Sequence, residues 1–379
     1  MKKIVEKIFF ALLNFELSKK EVDNEIKNLI TTDSLTYLYK LSIEQDLAHL
    51  IADSLEQNNL LCDEKLKNLF LKERNKAIFR DEQRKHEFES ISNILKNVGI
   101  PFIPLKGIII SKLYPETWMR TSCDIDILIN KNNLVKVKEL LVTKLNYMVK
   151  GEFSHDVSLW SQSGVHLELH FSLTDKGDTC SRVLKDVWHY VNEDNDYKLD
   201  NDFLYFYHVS HLAKHFKSGG LGVRFFIDEW LLRNKFSYTN KKDILLSECG
   251  LLTFANEISK TTDCWFLGEK ETDISLEIKE FVLHSGLYGN IKNQAVIQIN
   301  KKGKLGYILS KIFLPYDELK CQYQVLIKRK WLMPFCQIAR WFRLLLGKSK
   351  AQTKIKLNTL QNNDKSQANI KDLFDKLEI

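Results

Sequence analysis

Apolar residues recur at three- and four-residue spacing through the first quarter of the chain, as in Leu38, Leu41, Ile43, Leu47, Leu50, Ile51 and Leu55. That period belongs to helices. Asp33-Ser34 and Asp63-Glu64 look like helix starts. Residues 71–95 are charged but periodic, which predicts a long helix with one buried stripe. The opening Met-Lys-Lys and the apolar run after it resemble a signal peptide only superficially. Glu6 and Lys7 interrupt the run and no small-residue cleavage site follows, so an amphipathic helix is expected.

The pattern changes at Asn97. Residues 98–105 are apolar and β-branched with Gly99, Pro101 and Pro104 among them, and predict a short buried strand. Lys106-Gly107 ends it, and a helix of about two turns should follow as far as Tyr114-Pro115. Residues 123–129 predict a second strand, and 130–145 a helix. Alternation over 147–153, 156–160 and 165–171 predicts three more strands. From about Thr179 the helical period returns and persists to Leu346. The expected organisation is an N-terminal helical region (1–96), an α/β core (97–175), a C-terminal helical domain (176–347) and a polar, partly disordered tail (348–379). The fold class is therefore α+β, a mixed sheet embedded between helical regions.

Composition narrows the function classes. Fifteen glycines and five prolines in 379 residues are too few for collagenous, propeller-like or turn-dense all-β architectures. With 44% hydrophobic residues the chain can bury a real core, which excludes general disorder. The seven cysteines are scattered with no C-x-x-C pair, so a zinc ribbon is absent and free thiols in a reducing compartment are expected. No stretch reaches the roughly 18 uncharged apolar residues of a membrane span. A cytoplasmic protein with no integral membrane contact is the expectation. The net charge of +7 is uneven. Residues 320–356 hold ten basic side chains and no acid, with Trp331, Phe335, Trp341 and Phe342 interleaved. That strip suits a polyanion or an anionic membrane surface. The bland alternative is an amphipathic helix that buries its aromatics and solvates its charges.

The chemistry is expected on the sheet. On a strand, Asp124 and Asp126 share one face and Ile125, Ile127 and Ile129 the other. Paired carboxylates repel one another, and a divalent cation relieves this. The alternative is two harmless aspartates on an exposed strand. A third carboxylate, Glu168, alternates with Leu167 and Leu169 and shares its face with His166 and His170. From a neighbouring strand it can meet the aspartates, because facing side chains lie about 5 Å apart. Three such groups can hold one or two magnesium ions together with substrate phosphates. Lys106-Gly107 supplies a point charge and an open backbone for a phosphate at a strand-to-helix turn. Arg120 could pair with the carboxylates, with a phosphate, or with neither.

Taken together, Leu105-Lys106-Gly107, Leu113-Tyr114-Pro115, Arg120, residues 124–129 and residues 166–170 resemble the signature of the uncharacterised bacterial nucleotidyltransferase family, within the DNA polymerase beta nucleotidyltransferase superfamily. Residues 207–216, 220–224, Asp228, 315–319 and 331–334 are similar to its helical portion. The resemblance implies a minimal nucleotidyltransferase fold, an NTP donor and two-metal, magnesium-dependent catalysis. Asp124, Asp126 and Glu168 would be the catalytic, metal-holding set, and Lys106 and Gly107 would meet the triphosphate. Many members have Asp at the position of Glu168, and the wider superfamily usually has Gly-Ser or Gly-Gly where this chain has Gly107-Ile108.

His208, His211 and His215 share a helix face. Zinc ligation, packing against the sheet, and a polar wall of the nucleotide or acceptor cleft all remain open for them. Arg224 and Asp228, after the glycines at 219, 220 and 222, suggest a second rim, or else an i, i+4 pair. The nucleotide-binding set is thus Lys106, Gly107, Arg120, His170, His211, His215, Arg224 and Asp228. Three function classes compete: transfer of an NMP group to an unidentified small-molecule or protein acceptor, a catalytically silent nucleotide-binding or scaffold protein on the same fold, and a peripheral membrane or nucleic-acid protein working through residues 320–356.

Overall fold

The computed structural model describes residues 1–174, 179–192, 197–346 and 364–379. Helices α1 (Lys2–Ser18), α2 (Asn24–Asn28), α3 (Thr32–Glu44) and α4 (Ala48–Gln57) come first. The α1 stripe of Val5, Ile8, Phe9, Leu12 and Leu13 is buried, as an amphipathic helix requires. The long α5 (Glu64–Asn97) starts at Asp63, whose side chain accepts from the backbone N–H of Leu66.

The sheet unit follows: β1 (Phe102–Pro104), the single turn α6 (Gly107–Ile110), β2 (Asp124–Ile129), α7 (Leu134–Leu145), β3 (Met148–Glu152), β4 (Asp156–Trp160) and β5 (His166–His170). The spatial order is β1-β2-β5-β4-β3. Only β2 and β5 run parallel, so the sheet is mixed. Its aliphatic face, with Ile125, Ile127, Ile129, Leu167 and Leu169, packs on Ile91 and Leu95 of α5 and on Val137 and Leu141 of α7. At 25 cal/mol per Å², each such buried aliphatic side chain contributes about 2 kcal/mol, enough to fix which face points inward.

The helix after Gly107 is shorter than two α-turns: α6 gives way to 3₁₀ turns at Ser111–Leu113 and Thr117–Met119. Downstream come α8 (Ser181–Leu184), a small hairpin of β6 (Val191–Asn192) and β7 (Lys198–Leu199), then α9 (Asn201–Phe216), α10 (Val223–Lys235), α11 (Asn240–Glu248), α12 (Leu252–Phe266) and α13 (Asp273–Ser285). The hairpin interrupts the uniform helical reading of this region, and two residues per strand are too few to show alternation. Helix α14 (Ile291–Ile312) breaks at Gly303 (φ 72, ψ 162). It is followed by α15 (Tyr316–Gln322), α16 (Val325–Lys328), α17 (Met333–Leu346) and α18 (Asp364–Lys376).

The helices before and after the sheet unit share one hydrophobic core, which joins Phe9, Leu50 and Phe70 to Phe206, Phe226 and Phe254. Part of the expected polar tail belongs to it. Ile370, Leu373, Phe374 and Leu377 are buried, and Phe374 packs on Phe216 and Phe281. The rest of that tail, 348–363, lies outside the described residues. Among the described residues no helix is long and apolar enough to cross a membrane.

Candidate active site

The sheet's other face looks toward α9 and α10, and the space between is a cavity of about 340 Å³. The alternation in β2 and β5 places Asp124, Asp126, His166, Glu168 and His170 on this face. The parallel ladder sets Asp126 directly beside Glu168 and Asp124 beside His166. Asp124 and Glu168 line the cavity. Asp126 sits behind them, 4% exposed. Two groups, Asp124–His166–Glu168 and Asp126–Glu168–His170, each bring three ligand atoms within 4.8 Å of one another.

Asp126 is the electrostatic centre. Lys106 Nζ donates to its Oδ1 at 3.2 Å and His170 Nε2 to the same oxygen at 2.9 Å. His170 Nε2 also lies 3.3 Å from Glu168 Oε2. Burial opposes the charge on each of these groups, and the neighbours overcome it. Lys106 and His170 hold the Asp126 carboxyl well below its usual range. Burial alone would lower His170, but hydrogen bonds to Asp126 and Glu168 raise it to about 9. Asp126 and Glu168 likewise keep Lys106 charged against its burial. Asp124 is pushed above its usual range by burial and by the Asp126 charge, against the donation it receives from Ser122 Oγ at 2.7 Å.

Arg120 meets neither carboxylate of β2. Its Nε and Nη2 clamp Asp228 of α10 at 2.8–3.1 Å, and the Tyr114 hydroxyl donates to the same carboxylate at 2.8 Å. Asp228 has no exposure, and despite burial the Arg120 charge keeps its carboxyl depressed. The i, i+4 pair of Arg224 with Asp228 is therefore not made. Arg224 donates instead to the Thr121 carbonyl (2.8 Å) and the Tyr288 hydroxyl (3.2 Å) and stacks on Phe225 and Tyr288.

Arg120 Nη1 has no hydrogen-bond partner, nor do His170 Nδ1 and Arg224 Nε, although all three atoms are buried. All three side chains line the cavity. A Cβ on Gly107 would come within 3.0 Å of Arg120 Nη1 and 3.2 Å of Ser122 Oγ, so any side chain there would press on both. Lys106, at φ 40 and ψ −107, holds a backbone conformation that side chains rarely adopt. A single α-turn offers little dipole. The positive charge at this corner comes from Lys106 and Arg120.

On the opposite wall, His211 and His215 face each other, Nε2 to Nε2, at 3.1 Å. Burial and the nearby Lys106 push His211 well below its usual range and His215 down to about 4, so both are neutral at pH 7. His208 points elsewhere: its Nε2 donates to the Phe225 carbonyl at 3.2 Å. Among the described residues the three histidines do not form a metal-ligating group. The glycine loop before α10 is a packing device. Gly220 (φ 104) leaves no room for a Cβ, which would strike Ser285. Sequence reasoning missed Ser122, Tyr207 and Tyr288. Tyr207 was accessible, since it continues the 207–211–215 stripe at i, i+4 spacing.

With this geometry in place, comparison with known proteins gives one match. A family model described as uncharacterised nucleotidyltransferase matches residues 33–266, which contain the whole sheet unit and α9 to α12. The chain belongs to that family. No curated protein matches it. No solved structure matches it either.

Proposed function

We propose, taking that membership as the premise, that the chain moves an NMP group from a nucleoside triphosphate to a small-molecule or protein acceptor. One observation carries the reading: Asp124 and Glu168, with Asp126 behind them, share one cavity with three buried cationic donor atoms that have no hydrogen-bond partner. Such a site suits a polyanion bound together with a divalent cation.

Asp124, Asp126 and Glu168 are the residues that would hold magnesium. Their oxygen donors suit a hard cation, with His166 and His170 beside them in the two close groups, and Asp124, raised first by burial and then by the Asp126 charge, would be eased by such a cation. When bound, magnesium would supply charge neutralisation at the phosphates and a clamp on the attacking and leaving oxygens. The chain's own cations do the positioning. Arg120 is held by Asp228 through two of its nitrogens, which leaves Nη1 beside Gly107 for a phosphate oxygen. His170 carries its second N–H unused. The neutral His211 and His215, with the rings of Phe225 and Tyr288, form an aromatic patch beside Arg224, suited to a base or to an acceptor group that must lose a proton.

A silent nucleotide-binding protein is the second reading, favoured by the fact that Asp126 Oδ1 is already taken by Lys106 and His170. Calorimetry with magnesium and each NTP separates the cases. Binding that Asp124→Asn and Asp126→Asn abolish, with labelled nucleotide appearing on an acceptor, supports transfer. Binding without transfer to any acceptor supports the silent reading. Absence of NTP binding by the unaltered protein sinks both.

A further inference from the structure

We propose that the surface formed by α17 and the second half of α14 docks on an anionic lipid bilayer. This inference is independent of the nucleotidyl-transfer reading and uses none of its residues.

The orientation of α17 is the first observation. At 100° per residue, Cys336, Gln337, Arg340 and Trp341 form one side, and Phe335, Ile338 and Phe342 the opposite side. A helix of a water-soluble protein turns its apolar side inward. Here the polar groups point inward. Gln337 Nε2 donates to the Leu314 carbonyl at 2.6 Å, Arg340 to the carbonyls of Lys311 (2.8 Å) and Ile312 (3.2 Å), and Trp341 Nε1 to Ile312 (2.8 Å). The bonds to Lys311 and Ile312 satisfy carbonyls at the end of α14 that its own helix cannot. The apolar side is left outward. Phe335 is 62% and Phe342 60% exposed, and Trp331, edge-on to Phe335, is 68% exposed. Phe335 and Phe342 thus stay outside, while Trp341 alone among the aromatics of this helix turns inward onto Phe313.

The part of α14 gripped by α17 has the same character. Leu305, Ile308, Leu309 and Ile312 recur at helical spacing and are exposed. Scattered exposed apolar residues need no explanation, but two stripes on helices in contact do.

Charge decides the occupant. Between Glu280 and Asp364 there are fifteen Lys and Arg residues and two acids, Asp317 and Glu318. Lys301, Lys302, Lys304, Lys328, Arg329 and Lys330 are exposed beside the stripes. Aromatic and aliphatic side chains bordered by basic ones are the composition of a helix lying in a bilayer interface. Apolar burial and attraction to anionic headgroups then add. A second copy of the chain would bring a facing surface of equal positive charge, and RNA alone would leave the apolar stripes uncovered.

The test uses the full chain, because truncation before α17 would also remove α18 and with it Phe374 and Leu377 from the core. Co-sedimentation is measured with vesicles of phosphatidylcholine alone and with phosphatidylglycerol added. Binding is expected only with the anionic lipid. It should fall about tenfold in Phe335→Ser/Phe342→Ser and in Lys328→Glu/Arg329→Glu/Lys330→Glu. Both variants alter exposed positions, and unchanged thermal unfolding confirms that they fold. Four results overturn the proposal: no vesicle binding, equal binding to neutral vesicles, variants that bind like the unaltered chain, or a Phe335- and Phe342-dependent dimer that excludes vesicles.

Discussion

The two walls of the cavity treat histidine in opposite ways. On the sheet wall His170 is raised to about 9 and carries charge at neutral pH. On the helical wall His215 is lowered to about 4 and His211 also lies well below its usual range. Burial disfavours the charged form on both sides. The difference comes from the neighbours: Asp126 and Glu168 for His170, Lys106 and His215 for His211, and Lys106, Lys214 and Arg224 for His215. Lys106 stands between the walls and acts on both, attracted by one and repelling protons from the other. Burial alone therefore does not predict protonation here, and one cavity presents a charged imidazole on its sheet wall and neutral imidazoles on its helical wall.

The largest expected effect comes from cutting the tie between the walls. Arg120→Ala leaves the fully buried Asp228 without its cation and should cost about 3–5 kcal/mol in denaturant unfolding. Arg120→Lys, keeping charge but not the bidentate geometry, should cost less. If Arg120→Ala unfolds like the unaltered chain, Asp228 is not the anchor of the sheet unit to α10.

The histidines come next, in protein freed of divalent ions with a chelator. His170, raised on folding, contributes stability that is whole below its unfolded pKa near 6.5 and is lost as pH rises through about 9. His215, lowered on folding, contributes stability that is whole above 6.5 and is lost as pH falls toward 4. Stability should thus decline in both directions from near pH 6.5, by about 1–3 kcal/mol on each limb. His170→Gln should flatten the alkaline limb and His215→Gln the acid limb, read from urea midpoints across pH. Interchanged effects would refute the assignment of the two walls.

Gly107→Ala is the smallest change to stability, about 1 kcal/mol. Its methyl group would press on Arg120 Nη1 and Ser122. NTP affinity should fall more, about tenfold by calorimetry, since one hydrogen bond to a charged group is worth that much. Unchanged affinity would remove Arg120 Nη1 from the phosphate site.

The aliphatic side of the sheet was legible because Ile125, Ile127 and Ile129 repeat at period two, and so was the shared face of Asp124, Asp126 and Glu168. The parallel register that puts Asp126 beside Glu168 was not, since alternation fixes a face but not a neighbour. Arg120 and Asp228 are 108 positions apart, and nothing local in either announces the other. Helix α18 was obscured by its polar flanks, although Ile370, Phe374 and Leu377 already stood at i, i+4 and i+7. The outward face of α17 was hidden for a different reason: a hydrophobic stripe in a sequence does not say whether protein or another phase covers it.

The parallel pairing of β2 and β5 also sets a timetable. Asp126 and Glu168 are 42 positions apart, and α7, β3 and β4 lie between their strands in the sequence. Such non-local closure is the slow part of folding, while helices form early. A chain regaining its shape would recover most of its helical signal before its carboxylates meet, so the capacity to gather divalent cations would mark the completion of folding and not its onset.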